Sequence, residues 1–174
     1  MRKIKYFVII LLAVTIPVLS GCGVKRKELT FKEKEGTIIF NVKNDSKYKI
    51  STNRNDFITL REQAILLGND FKIGIEFDND FGYFYKGDFK AVKNKRKTNE
   101  DYKEVTYSDI KGIQYYYGGY KRYEVILPVD GSKDYYVVLT VYGKEDTKKS
   151  AKKAINSEEV KDILNHISPI KTVK

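Results

Sequence analysis

Apolar and polar residues alternate with a period of two over much of this chain, and that pattern predicts strands. The clearest case is "FKIGIEF" at 71–77, where every second residue is apolar, as a half-buried sheet face requires. "GTIIFNVK" at 36–43 and "KYKIST" at 47–52 read the same way. Asn44-Asp45-Ser46 joins them, and these residue types favour turns through local side-chain hydrogen bonds. A shorter strand is expected at 29–34. Further strands are expected at 102–107, 112–117, 120–129 and 134–143. Gly118-Gly119 predicts a two-residue hairpin turn, because glycine takes positive φ without steric cost, and Asp130-Gly131 marks the next turn.

Three stretches suggest helices. Thr59 can cap a short helix running to Leu67, with Gly68 as its left-handed stop. Asp80 can cap a helix over 81–95 with Tyr85, Phe89 and Val92 as its apolar stripe, and the basic run 93–97 then meets the negative helix end. The last helix is expected at 157–167, capped by Ser157, with Glu158 and Glu159 at its positive end. Val160, Ile163, Leu164 and Ile167 form its buried stripe. Clustered strands with helices between and after them predict an α+β fold, an antiparallel sheet flanked by helices.

The N-terminus departs from both periods. Arg2, Lys3 and Lys5 precede an apolar run from Tyr6 to Leu19, followed by the small residues Ser20 and Gly21 and then Cys22. Charge, apolar core and small-residue site in that order are the secretory pattern. The run is shorter than the ~20 residues a spanning helix needs. Leu19-Ser20-Gly21-Cys22 resembles the lipobox of bacterial lipoproteins, in which the cysteine receives a diacylglycerol and the signal is cut just before it. The resemblance implies a signal peptide at 1–21, lipidation of Cys22 and a place on the extracytoplasmic face of the cell membrane. Two acyl chains hold a protein on a bilayer stably. Residues 22–28 then read as a basic linker, with Lys25, Arg26 and Lys27 beside anionic headgroups.

Residues 29–174 make one expected domain. "YYVVLTVYG" followed by "NSEEVKDILNHISPIK" resembles the end of PsbP-like domains, where a last strand leads into a helix and an isoleucine-containing tail. The early hairpin and the proline exit of "RYEVILP" are compatible with that resemblance, which covers about the last third of the chain. It implies an α/β/α sandwich around an antiparallel sheet, and a non-enzymatic assembly or binding factor.

Composition narrows the function. Removing residues 1–21 takes away three of the 33 basic residues and none of the 23 acidic ones, leaving 153 residues and a formal charge of +7. A domain of that size buries about 70% of its unfolded surface and needs no disulfide staple. A moderately basic exported domain suits anionic headgroups, anionic wall polymers or an acidic partner. Nucleic acid is excluded as the normal ligand by the export signal and the lack of any nucleic-acid motif.

Catalytic and metal-binding patterns are sparse. His166, the single histidine, sits near the end of the last helix, where it faces the negative helix end or solvent. With Cys22 lipidated, no Cys/His zinc site can form. "DNDFG" at 78–82 begins like a calcium loop, but Gly82 occupies the third ligand position and Phe89 the closing one, so it reads as a turn and cap. Glu158-Glu159 reads as helix-start chemistry. No cofactor, metal or enzymatic activity is expected.

The tyrosines remain. Across a two-residue Gly118-Gly119 turn, Tyr117 would face Tyr120, Tyr115 would face Arg122, and Ile113 would face Glu124, all on one sheet face. Tyr116, Lys121, Tyr123, Val125 and Leu127 take the other face, which is the more apolar and is expected in the core. Tyr115, Tyr117, Tyr120, Arg122 and Glu124 are therefore the candidate binding residues, because tyrosine joins a flat apolar body to a polar end. A protein-interaction module of the cell envelope would present them as an exposed patch. A binder of an anionic wall polymer, glycan or small ligand would present a concave basic groove.

Overall fold

The computed structural model describes residues 24–33, 36–78, 89–130 and 136–168. The apolar N-terminal run, the lipobox with Cys22, residues 79–88, Gly131 and the C-terminal tail lie outside them. Strands β1 (Arg26–Glu33) and β2 (Gly36–Lys43) form an antiparallel hairpin. Seven further strands, β3 (Lys49–Ser51), β4 (Ala64–Leu67), β5 (Phe71–Asp78), β6 (Lys103–Tyr107), β7 (Ile110–Tyr117), β8 (Arg122–Pro128) and β9 (Tyr136–Gly143), make one antiparallel sheet. Their order across the sheet is β3-β4-β5-β9-β8-β7-β6. Among the described residues the helices are α1 (Phe89–Arg96), α2 (Lys148–Asn156) and α3 (Glu158–Leu164), and the fold is α+β as the alternation predicts.

The main core lies on one face of the large sheet. Val137, Leu139 and Val141 of β9 meet Ile73, Ile75 and Phe77 of β5 and Tyr123, Val125 and Leu127 of β8 there. Over them pack Ile38, Phe40 and Val42 from β2, Ala151 and Ile155 from α2, and Val160, Ile163 and Leu164 from α3. Fully burying one such aliphatic side chain contributes about 1.5–3 kcal/mol, so the hairpin and both helices are held chiefly by this layer. After α3 the chain extends the hairpin sheet: Ile167 bridges Phe40, and the Asn41 amide donates to the His166 carbonyl at 2.9 Å.

The structure redraws four local expectations. Residues 59–67 do not form a helix. Ala64-Ile65-Leu66-Leu67 is an apolar run buried on both faces, and it pairs with β5 as a central strand. The connection at Gly118-Gly119 is four residues long, a 3₁₀ turn over 118–120 followed by Lys121 in the left-handed region at φ 49°. The β7–β8 register therefore moves by two, to Tyr117↔Arg122, Tyr115↔Glu124 and Ile113↔Ile126. An even shift keeps the residues of the two strands on their expected faces, while Tyr120 and Lys121, expected in the strand and Lys121 on its core side, fall in the connection and are exposed. The two-residue hairpin turn lies at Ser108-Asp109, both at positive φ, between the paired Tyr107 and Ile110. A helix absent from the sequence reading, α2, starts at Thr147, whose side chain accepts from the Ser150 amide at 3.1 Å.

Strand β1 also begins earlier than the expected linker allows. Arg26 pairs with Lys43 in the ladder and makes a bidentate salt bridge to Asp162, at 2.7 and 3.1 Å. The Lys27 ammonium donates to the Ser46 carbonyl at 2.6 Å. Both cations belong to the folded domain, so within the basic cluster only Lys25 is left exposed.

Candidate functional site

The second face of the sheet has two zones. On one side Val92 of α1 packs with Ile113, Tyr115, Ile126, Tyr136 and Val138 in a small apolar cluster. On the other, β5, β8 and β9 present Glu76, Asp78, Arg122, Glu124, Thr140 and Tyr142. The segment 57–62 folds over this polar zone, and between that segment and the β7–β8 tip lies a groove of about 460 Å³.

Glu62 fastens the segment. Its Oε2 accepts the Ile58 amide at 2.8 Å and the Thr59 amide at 3.4 Å, and its Oε1 accepts the Tyr142 hydroxyl at 2.6 Å. The carboxylate sits directly over Gly74, where an added Cβ would come within 2.5 Å of Oε1. A glycine in the middle of a strand here has a physical reason, the close approach of another side chain. Arg61, the neighbour of Glu62, spans Glu76 at 2.9 Å and Asp78 at 2.5 Å.

The five residues singled out by the sequence separate into floor and rim. Tyr115 is fully buried, and Arg122 and Glu124 are only 7% and 6% exposed, so these three do not form the exposed patch expected of them. The reason is the α1 crossing, which covers Tyr115, together with the packing of Arg122 beneath the tip tyrosines. Tyr115 donates its hydroxyl to Glu124 Oε2, while Arg122 donates to Glu124 Oε1 at 2.7 and 3.1 Å and to the Tyr142 hydroxyl at 3.1 Å. Tyr117 and Tyr120 stay together at the rim, ring centroids 5.7 Å apart at 18°. The Arg122 guanidinium lies 4.6 Å from the Tyr120 centroid and 5.4 Å from that of Tyr117. Such cation–π contacts contribute about 0.5–2 kcal/mol each, more as the cation is desolvated. Tyr120 is 57% exposed.

Across the groove stand Ile58, 48% exposed, and Leu60, 94% exposed, two of the four large hydrophobic side chains that are exposed among the described residues. The sequence reading missed this wall, and it missed Arg61, Glu62, Glu76, Asp78, Arg96 and Tyr142. These residues come from four separated segments, and only Gly74 inside an otherwise apolar alternation signalled the approach of another element.

The electrostatics follow from burial. Burial pushes the Glu76 carboxyl up to about 7, with Arg61 opposing and the Asp78 charge adding to the rise. Burial, then the Glu124 charge, raises the Tyr115 hydroxyl far above the ordinary tyrosine range. Burial works against the Arg122 charge, but Glu124 and Tyr142 outweigh it and its pKa stands above the ordinary value. Among the described lining residues, Arg61, Arg96 and Arg122 face Glu76, Asp78 and Glu124. The groove is concave and charge-balanced. Among the described residues no three His, Cys, Asp or Glu side chains converge as a metal-holding group, and no helix is long and apolar enough to cross a membrane.

His166 lies beyond α3, its Nδ1 2.8 Å from the Asp162 carbonyl oxygen, and Glu158 and Glu159 occupy the first turn of α3. Compared with protein-family models, curated proteins and solved structures, the chain finds no match.

Proposed function

We propose that this chain is a membrane-anchored surface lipoprotein whose domain docks a protein partner of the cell envelope in the groove between segment 57–62 and the β7–β8 tip. The observation that carries the reading is the pairing of exposed apolar side chains, Ile58 and Leu60, with the stacked Tyr117 and Tyr120 on the opposite rim. Aromatic and aliphatic anchors beside satisfied polar groups are the usual content of a protein-interaction centre. The floor supports binding over catalysis. Glu124 is held by Arg122 and Tyr115, Glu62 by Tyr142 and two amides, and Glu76 and Asp78 by Arg61. The lipobox and the PsbP-like C-terminal segment support an anchored, non-catalytic role.

A glycan ligand is the second reading, favoured by the flat Tyr117–Tyr120 pair beside alternating arginines and carboxylates. An anionic polymer is favoured less, because the three arginines are matched by three carboxylates.

In-cell crosslinking of the tagged protein, followed by purification and mass spectrometry, tests the proposal. One partner protein, lost in Leu60→Asp with Tyr120→Ser and retained in Lys149→Glu on α2, is the expected result. Equal capture by all three proteins contradicts the groove. No specific protein together with variant-sensitive binding of purified envelope glycans replaces the protein reading with the glycan one.

A further inference from the structure

The ladders define which loops share an end of the molecule. Arg26 pairs with Lys43, Lys49 with Leu67, Phe71 with Gly143, and Tyr117 with Arg122. The start of β1, the β2–β3 loop, the β4–β5 turn, the β7–β8 tip and the β9–α2 loop therefore lie at one end of the strands. Salt bridges from Lys144 to Asp70 and from Lys121 to Asp146 tie neighbouring loops there. Lys25, Lys43, Lys47 and Lys49 are exposed at this end, Lys72 is half-buried, and none of the five makes a salt bridge among the described residues. Among the described residues, the acids of this end without a salt bridge are Asp45, Glu145 and Glu159. Among the described residues the opposite end carries Asp109 and Asp130 as exposed carboxylates beside two exposed lysines, Lys32 and Lys111, so its charges balance.

We infer that this lysine-bearing end is the surface on which the domain rests against anionic lipid headgroups. The inference rests on the N-terminal anchoring proposed above. Only Gly23, Val24 and Lys25 lie between Cys22 and Arg26, a reach of at most about 14 Å, so an anchor at Cys22 holds this end, and not the Asp109 end, beside the bilayer. Arg26 and Lys27, which local sequence assigns to the headgroups, are engaged within the domain, and the fold replaces them with lysines drawn from β2, the β2–β3 loop, β3 and β5. Long lysine stems let the ammonium groups reach the headgroup layer while the loops stay outside it. Resting this way also sets the Tyr120 rim of the groove toward the membrane, where a partner embedded in the same bilayer would meet it.

The test places a fluorophore on Cys introduced at Asn69, on the lysine end, or at Asp109, on the opposite end, in the full chain inserted in vesicles through its own N-terminus. A headgroup-attached quencher reports proximity, in phosphatidylcholine vesicles with and without phosphatidylglycerol. Stronger quenching at 69 than at 109, enhanced by phosphatidylglycerol and lost in Lys43→Glu/Lys47→Glu/Lys49→Glu or at high salt, is the expected result. Equal quenching at both positions, or a difference indifferent to the triple reversal, overturns the inference. All three lysines are exposed, and circular dichroism checks that the reversed protein is folded. The mass of the N-terminal peptide separately reports the lipid on Cys22, so a failed lipobox reading is distinguished from a failed lysine end.

Discussion

Substituting Gly74 with alanine should destabilise the domain through one specific collision. The added Cβ would stand 2.5 Å from Glu62 Oε1 and 2.8 Å from its carboxyl carbon, distances that van der Waals contact forbids. A flexible, solvated glutamate would move aside at little cost. Glu62 is 5% exposed, and its carboxylate holds the Ile58 amide at 2.8 Å and the Tyr142 hydroxyl at 2.6 Å. Hydrogen bonds to a charged group contribute about 1.5–3 kcal/mol each, so losing both would cost about 3–6 kcal/mol. Re-solvation of the displaced carboxylate recovers part of this. Alanine is also favoured over glycine in a strand by about 0.5–1 kcal/mol. The expected net loss is about 2–3 kcal/mol, a melting-temperature decrease of roughly 4–12 °C for a domain of this size. Urea unfolding of the wild type, Gly74→Ala, Glu62→Ala and the double variant measures it. The collision needs Glu62, so Gly74→Ala should cost under about 1 kcal/mol in the Glu62→Ala background, a coupling of about 2 kcal/mol. Equal costs in both backgrounds would refute the reasoning.

Three further outcomes follow from the same geometry. Glu76 has a folded pKa of about 7, above its unfolded value near 4.5, so its stabilisation is complete below about pH 4.5 and is lost as pH rises through 7. Urea midpoints should fall across that window, and Glu76→Gln should flatten the fall. Tyr115→Phe removes the donor to the buried Glu124 carboxylate and should cost about 1–3 kcal/mol in urea unfolding, with the β7–β8 register retained in amide exchange. Leu60→Asp changes a side chain that is 94% exposed, and its stability should stay within about 0.5 kcal/mol of wild type while partner capture is lost.

Elements whose pattern is decided locally were legible in the sequence. The alternation of β5, the inward stripe of α3 and its Ser157 cap needed no long-range information, since the Ser157 side chain accepts from the Val160 amide three residues on. The parity of β7 and β8 was also legible, which is why Tyr116 and Tyr123 lie in the core and Tyr115 and Glu124 on the opposite face. Register was not, because Gly118-Gly119 admits a four-residue connection as readily as a two-residue one. Ala64–Leu67 is apolar at every position, so length and period cannot separate helix from strand, and β5 and β3 decided it by pairing on both sides. Helix α2 hid behind its lysines: Ala151, Ala154 and Ile155 are at helical spacing, but two alanines make a faint stripe. The groove was legible only at Tyr117, Tyr120, Arg122 and Glu124, which lie within eight residues of one another. Its other wall lies more than 50 residues earlier in the chain, and the rest of its floor comes from β5, α1 and β9, which local pattern does not bring to this place.

The most direct measurement is photo-crosslinking in living cells from an amino acid placed at Leu60, with the same group at Lys149 as the control. The account predicts a discrete protein adduct from position 60, absent from position 149, whose partner peptide also crosslinks to position 120 across the groove. Identical adducts from both positions, or glycan adducts alone at position 60, would contradict a protein-docking groove.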